Sequence, residues 1–322
     1  MTRPTNVSTH NPLTKIRGTL AKGGVKGFAR HSVKWVYWNG KMYRLLPPHQ
    51  IRHARQFYKQ VKPIKKYGIQ DPILVYQMGK VGSTSILNAL RALDLDVPVY
   101  HIHHLNKLDK YEARTRQFPE RYRGMQQMLA HSRAILHDMQ QSPDKKWNLI
   151  SLVRAPIPQV VSAFFQDLDV LFPEYVVMTE RGELTGAKLV EYFLREYRNE
   201  TPLHWFDVQL RDVLGLDVYA QPFPIAQGYH IYPFKNLRLL VMRLEDLERC
   251  AAPALREFLN IPNFQLAKEN SGEQKAYAPL YREFRAQLRL PAEFVQKYNN
   301  SRYAQHFYTA SELAASVAQW TR

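Results

Sequence analysis

Three short stretches hold residue types that could do chemistry together. In the first, Gly79-Lys80-Val81-Gly82-Ser83-Thr84-Ser85, a lysine and two glycines stand directly before hydroxyl residues. If a helix opens at those hydroxyls, its first amides have no internal partner and point at whatever lies at the N-terminus. Glycine lets backbone approach an anion closely, and Lys80 supplies a mobile positive charge. The second stretch, LVRAPIPQVVSAFF, carries Arg154 with Ser162 eight residues on. A guanidinium offers paired charge-assisted hydrogen bonds to a phosphate, and Ser162 can add one hydroxyl. The third, Tyr100-His101-Ile102-His103-His104, concentrates imidazoles, the side chains tuned to accept a proton near neutral pH. Three histidines in four residues also raise the question of a metal. A strand pair would need a further ligand, and neither a cysteine cluster nor HExxH accompanies them, so no metal is expected.

These residues need elements to hold them. Ile73-Leu74-Val75-Tyr76, bounded by Pro72, reads as a buried strand entering the first stretch. Ile86, Leu87, Leu90 and Leu93 then fall on one face of a helix. Val97–His104 reads as a second strand. Trp147–Val153 is a third, ending at Arg154, with Pro156 in the first turn of the helix that carries Ser162. Asn236–Met242 is a fourth. Helices are predicted over 105–141 with a break at Pro119, and over Thr185–Arg198, Pro202–Leu214, Glu245–Leu259 and 279–300. The stretch DVYAQPFPIAQGYHIYPF reads as irregular, and Lys268–Tyr277 as a polar loop. Strands alternating with helices predict an α/β fold with a central, mainly parallel sheet flanked by helices on both faces. Ligands of such sheets gather at the carboxyl ends of the strands, where Lys80, His103 and Arg154 fall.

Charge divides the chain. Residues 1–70 contain 15 Lys or Arg and no Asp or Glu; the other 252 carry 30 bases and 28 acids, so +15 of the net +17 lies in the first segment. The sequence predicts a basic N-terminal extension over 1–69, with a possible hairpin at 35–44 around Asn39-Gly40 and a basic helix over Ile51–Val61. Residues 70–322 form the α/β domain. The extension suits an anionic surface, lipid or polymer; nucleic acid is the less favoured partner. Cys250 is the lone cysteine, no apolar run reaches membrane-spanning length, and the first residues lack a signal-peptide core. A cytoplasmic protein, peripheral at the inner membrane face if the extension binds lipid, is the expectation.

Together the first two stretches resemble sulfotransferases that use 3′-phosphoadenosine 5′-phosphosulfate (PAPS). Lys80-Val81-Gly82-Ser83-Thr84-Ser85 is similar to that family's 5′-phosphosulfate loop. Arg154…Ser162 is similar to its 3′-phosphate element, including Pro156 and the aromatic Phe164. Trp205-Phe206-Asp207, Asp217-Val218-Tyr219, Met242–Leu247 and His306-Phe307-Tyr308 look like a bacterial family of capsular polysaccharide synthesis proteins, a resemblance over most of 70–312 that leaves residues 1–69 outside. The resemblance implies a three-layer P-loop-like fold, PAPS as co-substrate and a hydroxyl acceptor on a carbohydrate. It makes Lys80, Val81, Gly82, Ser83, Thr84, Ser85, Arg154 and Ser162 binding residues for the donor. Lys275 and Tyr277 sit where the family places a mobile segment over the nucleotide. The His-x-His pattern resembles the uronyl and hexosaminyl 2-O-sulfotransferases, which makes His103 the base and His101 its assistant, with His104 left open. His204, Trp205 and Asp207 are candidates for the acceptor site, although Trp205 and Phe206 also suit a core. Glu245 and Asp246 read as a helix N-terminal charge pair, and His306-Phe307-Tyr308 as packing.

Sulfuryl transfer parallels phosphoryl transfer in needing positioning and charge stabilisation. Charge builds on the bridging oxygen, where Lys80 is the candidate cation. The alternatives are a P-loop-like kinase or NTPase and a non-catalytic nucleotide-binding scaffold. For the kinase, Lys80 stands on the wrong side of Gly82 for a Gly-Lys-Ser/Thr loop, and Arg154 occupies the strand end where a magnesium-binding acid would be welcome.

Overall fold

The computed structural model describes residues 66–117, 123–267 and 275–321. Ile73–Tyr76 forms β1 and Trp147–Val153 forms β3, and every side chain of both is buried. Continuous apolar runs of this kind belong to parallel strands covered on both faces. Val99–Ile102 is β2, Tyr229–Phe234 is β4 and Leu237–Arg243 is β5. The sheet order is β2-β1-β3-β5-β4. β1 pairs in parallel with β2 (Val75 opposite His101) and with β3 (Val75 opposite Ile150). β3 pairs in parallel with β5, and β4 runs antiparallel along the edge. The chain therefore leaves β1 toward β2 on one side and returns to β3 on the other. The carboxyl ends of β1 and β3 flank a topological switch point, the place where open α/β sheets bind ligands.

The helices that matter to the site are α1 (Ser83–Ala92), α2 (Leu108–Gln117), α3 (Arg123–Gln141), α4 (Pro156–Gln166), α5 (Gly186–Arg195), α6 (Leu247–Leu259), α7 (Ala278–Gln287), α8 (Ala292–Asn299), α9 (Arg302–Phe307) and α10 (Ala310–Thr321). α1 buries Ile86, Leu87 and Leu90, as their spacing predicts, and Ala89 with them, while Leu93 of the same predicted face is half-buried at the helix end. α4 starts at Pro156 and buries Ile157, Val160, Val161, Phe164 and Phe165. The sheet and its nearest helices share one apolar core. A second, rich in aromatic rings, joins α4, α5, α7 and α8 around Phe164, Phe193 and Phe284.

Three expectations need correction. The stretch read as irregular contains β4. Pro233 lies inside it, facing Arg238 of β5, and proline cannot donate to a ladder, so it is tolerated only because β4 is an edge strand. The helix predicted over Pro202–Leu214 is interrupted: Thr201–Trp205 is α-helical, Phe206–Arg211 is a π-turn and Asp212–Leu214 resumes the helix. The second strand is also shorter than Val97–His104, ending at Ile102 so that His103 and His104 lie beyond it. The fold is thus mixed α/β around a five-stranded, mainly parallel sheet. Among the described residues no helix is long and apolar enough to cross a membrane. The hairpin at 35–44, the helix over Ile51–Val61, the break at Pro119 and residues 268–274 of the polar loop lie outside the described residues.

Candidate functional site

The loop after β1 is shaped by two left-handed residues, Lys80 (φ 67°) and Gly82 (φ 82°). Glycine suits position 82: its φ disfavours any side chain, and a Cβ there would force the end of the Leu244 side chain to move aside. Gly82 is also the N-cap of α1, so no side chain caps the helix, and its first amides remain available to an anion. Val81 and Ser83 are buried, Ser85 is half-buried and Thr84 is exposed.

Arg154 arrives from the end of β3 and meets this loop directly. Its Nη1 donates to Lys80 O at 3.1 Å, and Gln159 Nε2, one turn into α4, donates to Gly79 O at 2.9 Å. The Arg154 backbone is held in turn. Tyr303 Oη accepts from Arg154 N at 3.0 Å and donates to Arg154 O at 2.8 Å. Glu245 accepts from Ala155 N at 2.7 Å and from Tyr308 Oη at 3.1 Å. Ser162 is half-buried on α4, and its hydroxyl makes no hydrogen bond among the described residues. Lys275 lies beside Lys80, and its ammonium is 5.4 Å from the centre of the Tyr277 ring. Tyr277 in turn packs on Phe165 with ring centroids 5.4 Å apart. Burial, with the charges of Lys275 and Arg154, pulls the Lys80 pKa from 10.5 down to about 8; Asp167 acts weakly the other way. Burial also lowers the Arg154 guanidinium, with Glu245 opposing it. Three cations thus converge at an uncapped helix N-terminus with little negative charge among them, and such a site is complementary to an anion.

The histidines come from the neighbouring strand end. His103 Nδ1 lies 2.8 Å from Gln77 O. A carbonyl only accepts, so Nδ1 carries the hydrogen and Nε2 keeps its lone pair. Burial lowers the His103 pKa, against the bond to Gln77. The His101 ring sits 4.8 Å from that of His103, edge to face. Burial, then His103 and Arg91, hold His101 at about 3. His104 stacks on Tyr111 at 3.7 Å and is likewise pushed to about 3 by burial and His103. All three imidazoles are neutral at pH 7, and His103 is the one whose tautomer a hydrogen bond fixes.

Residues 185–309 match the NKWYS family model, described as "Putative capsular polysaccharide synthesis protein". No curated protein matches the chain. No solved structure matches it either.

Lys80, His103, Arg154 and Ser162 all precede the matched segment, which contributes residues that frame them. Trp205 is buried, packs edge-on against Tyr76 at 5.0 Å, and donates from Nε1 to His103 O at 3.1 Å. Asp207 pairs with Arg211 and, at 3.7 Å, with Arg302. His204 is exposed beside Glu200, 3.9 Å away. Of the three acceptor-site candidates, then, only Trp205 touches the histidine loop, and it does so from the core. Sequence reading passed over Gln77, Gln159, Gln209 and Tyr303, and it gave Glu245 and Tyr308 local structural parts. For Gln159 and Gln209 the available signal was a glutamine set inside an apolar run, since a buried amide is rarely kept without partners; Gln77 acts through its backbone carbonyl, and its buried side-chain amide has no hydrogen-bond partner among the described residues.

Proposed function

We propose that this chain is a PAPS-dependent sulfotransferase acting in polysaccharide synthesis, with a carbohydrate hydroxyl as acceptor and a three-layer P-loop-like architecture. The observation that carries the reading is the convergence of Lys80, Lys275 and Arg154 on the uncapped N-terminus of α1 at the β1/β3 switch point. PAPS has two anionic ends, and Arg154 with Ser162 suits the 3′-phosphate while the Lys80 loop suits the 5′-phosphosulfate. The family match over 185–309 supports the polysaccharide context. In the reaction, His103 Nε2 takes the acceptor's proton as its oxygen attacks sulfur. The bond from sulfur to the bridging oxygen breaks, its electron pair stays on the 5′-phosphate, and Lys80 stabilises that charge. The reading places the protein in the cytoplasm and leaves residues 1–69 for an anionic surface.

Calorimetric titration with adenosine 3′,5′-bisphosphate, without magnesium, tests the binding half. Arg154→Ala should weaken affinity by roughly ten- to a hundredfold, the worth of charged hydrogen bonds of about 1.5–3 kcal/mol. His103→Ala should keep the affinity and lose transfer of label from PAPS to a panel of glycans and alcohols. Unchanged affinity in Arg154→Ala sinks the assignment. Magnesium-dependent ATP turnover would favour a kinase or NTPase, and tight bisphosphate binding with no labelled product would favour a non-catalytic scaffold.

A further inference from the structure

We infer that Gln209 is a positioning residue for His103, acting through the loop that joins β2 to α2. The inference takes the reaction from the sulfotransferase reading, whereas its geometry stands apart from it. Gln209 is 2 % exposed and lies in the π-turn Phe206–Arg211. Its Oε1 accepts from Leu105 N at 2.8 Å, from Asn106 N at 3.0 Å and from Tyr76 Oη at 2.9 Å. Tyr76 Oη is equally close to Gln209 O, at 2.9 Å, so its one hydrogen is shared between the two oxygens, and Asn106 Nδ2 donates to Val208 O at 3.1 Å. With the bond from Trp205 Nε1 to His103 O, residues 103–106 hang from residues 205–209 at four points. The other suspension is the bond between His103 Nδ1 and Gln77 O. The histidine loop is therefore slung between the end of β1 and the π-turn.

The π-turn explains how one helix can serve this loop. Trp205 and Gln209 are four residues apart and share a face. The change of pitch interrupts the regular ladder and turns backbone carbonyls toward outside donors, as π-bulges at functional sites do. Val208 O and Gln209 O are used in this way. One side-chain oxygen meeting three donors cannot be replaced by an apolar group without stranding the buried Leu105 amide and the half-buried Asn106 amide. If the loop loosens, the half-buried His103 ring loses the hold on its tautomer and is opened further to water. The titratable groups near it are His101 and His104 from its own strand and loop, Tyr111 of α2 against His104, and Arg91 of α1 facing His101.

The test compares Gln209→Leu with Gln209→Glu in the full chain. Gln209→Glu keeps the accepting oxygen and should retain bisphosphate affinity and most of the turnover. Gln209→Leu should keep bisphosphate affinity, lose turnover by roughly ten- to a hundredfold, and move the acid limb of the kcat profile upward. The His103 imidazole, followed by NMR and assigned with His103→Gln, should titrate closer to its ordinary value in Gln209→Leu. That titration needs no substrate. A raised His103 titration in a chain with no transfer activity supports the positioning role and overturns only the sulfotransferase reading. An unmoved titration in folded Gln209→Leu overturns the inference, whatever the activity. If Gln209→Leu does not fold, Asn106→Ala, which removes the side-chain links to Val208 O and Lys107 N but leaves both backbone bonds to Gln209, should give a smaller shift in the same direction; no shift there overturns it equally.

Discussion

Lys80 is the residue whose altered chemistry bears most directly on binding an anion. Its pKa of about 8 lies below the 10.5 of an unfolded lysine. Between those values the unfolded chain binds more protons than the folded one, so this group's contribution to stability rises with pH across that window. Below about pH 8 the folded protein holds the ammonium at a cost, beside Lys275 and Arg154. An anion that enters the site removes that penalty and draws the proton back. Binding of adenosine 3′,5′-bisphosphate near pH 8 should therefore take up protons, and affinity should decline as pH rises above 8. Lys80→Arg keeps its charge through this range, so the proton uptake and the alkaline decline should both vanish. Calorimetry in buffers of different ionisation enthalpy measures the uptake directly. Equal uptake in the wild type and Lys80→Arg would mean that another group titrates at the site.

At the scale of elements, the site depends on α9 and on the 3-10 turn Leu244–Asp246 that precedes α6 as much as on the strand ends. The Tyr303 hydroxyl of α9 satisfies both backbone groups of Arg154. Tyr303→Phe leaves the N–H and C=O of half-buried Arg154 unpaired, together a loss of about 1–3 kcal/mol. The melting temperature should fall by roughly 2–10 °C, and bisphosphate affinity should fall as Arg154 loses its bearing on the Lys80 loop. A lowered melting temperature with unchanged affinity would make Tyr303 a packing residue only. The sequence carried part of this arrangement openly. β1 and β3 were legible because runs such as WNLISLV have no other stable place than the middle of a parallel sheet. The Lys80 loop, Arg154 and the histidines were legible because each motif is local. β4 was hidden by Pro233, and the π-turn by an apolar spacing that continues through it. Tyr303 and Gln209 were hidden for a different reason. Their partners lie 149 and 104 residues away, and nothing in a tyrosine or a glutamine says which distant backbone it will meet.

At the scale of the molecule, charge and chemistry are kept apart along the chain. The first 70 residues carry +15 and the remaining 252 carry +2, while Lys80, His103 and Arg154 all belong to the nearly neutral part. The described strands, the two apolar cores and the bonds named at the site lie in the unit that runs from Lys65 to Arg322. A dense basic stretch attracts any anionic surface, and the attraction between exposed charges is screened over about 8 Å at physiological salt. The two parts should therefore respond differently to the same perturbations. Removing residues 1–65 should leave bisphosphate affinity and the melting temperature unchanged. It should abolish binding to phosphatidylglycerol-containing vesicles and to acidic polysaccharide, and in the full chain that binding should weaken steeply with added salt. Vesicle sedimentation and calorimetry on the two proteins decide the matter. If bisphosphate affinity fell together with surface binding, the basic segment would be contributing cations to the site, and the separation of surface charge from chemistry would not hold.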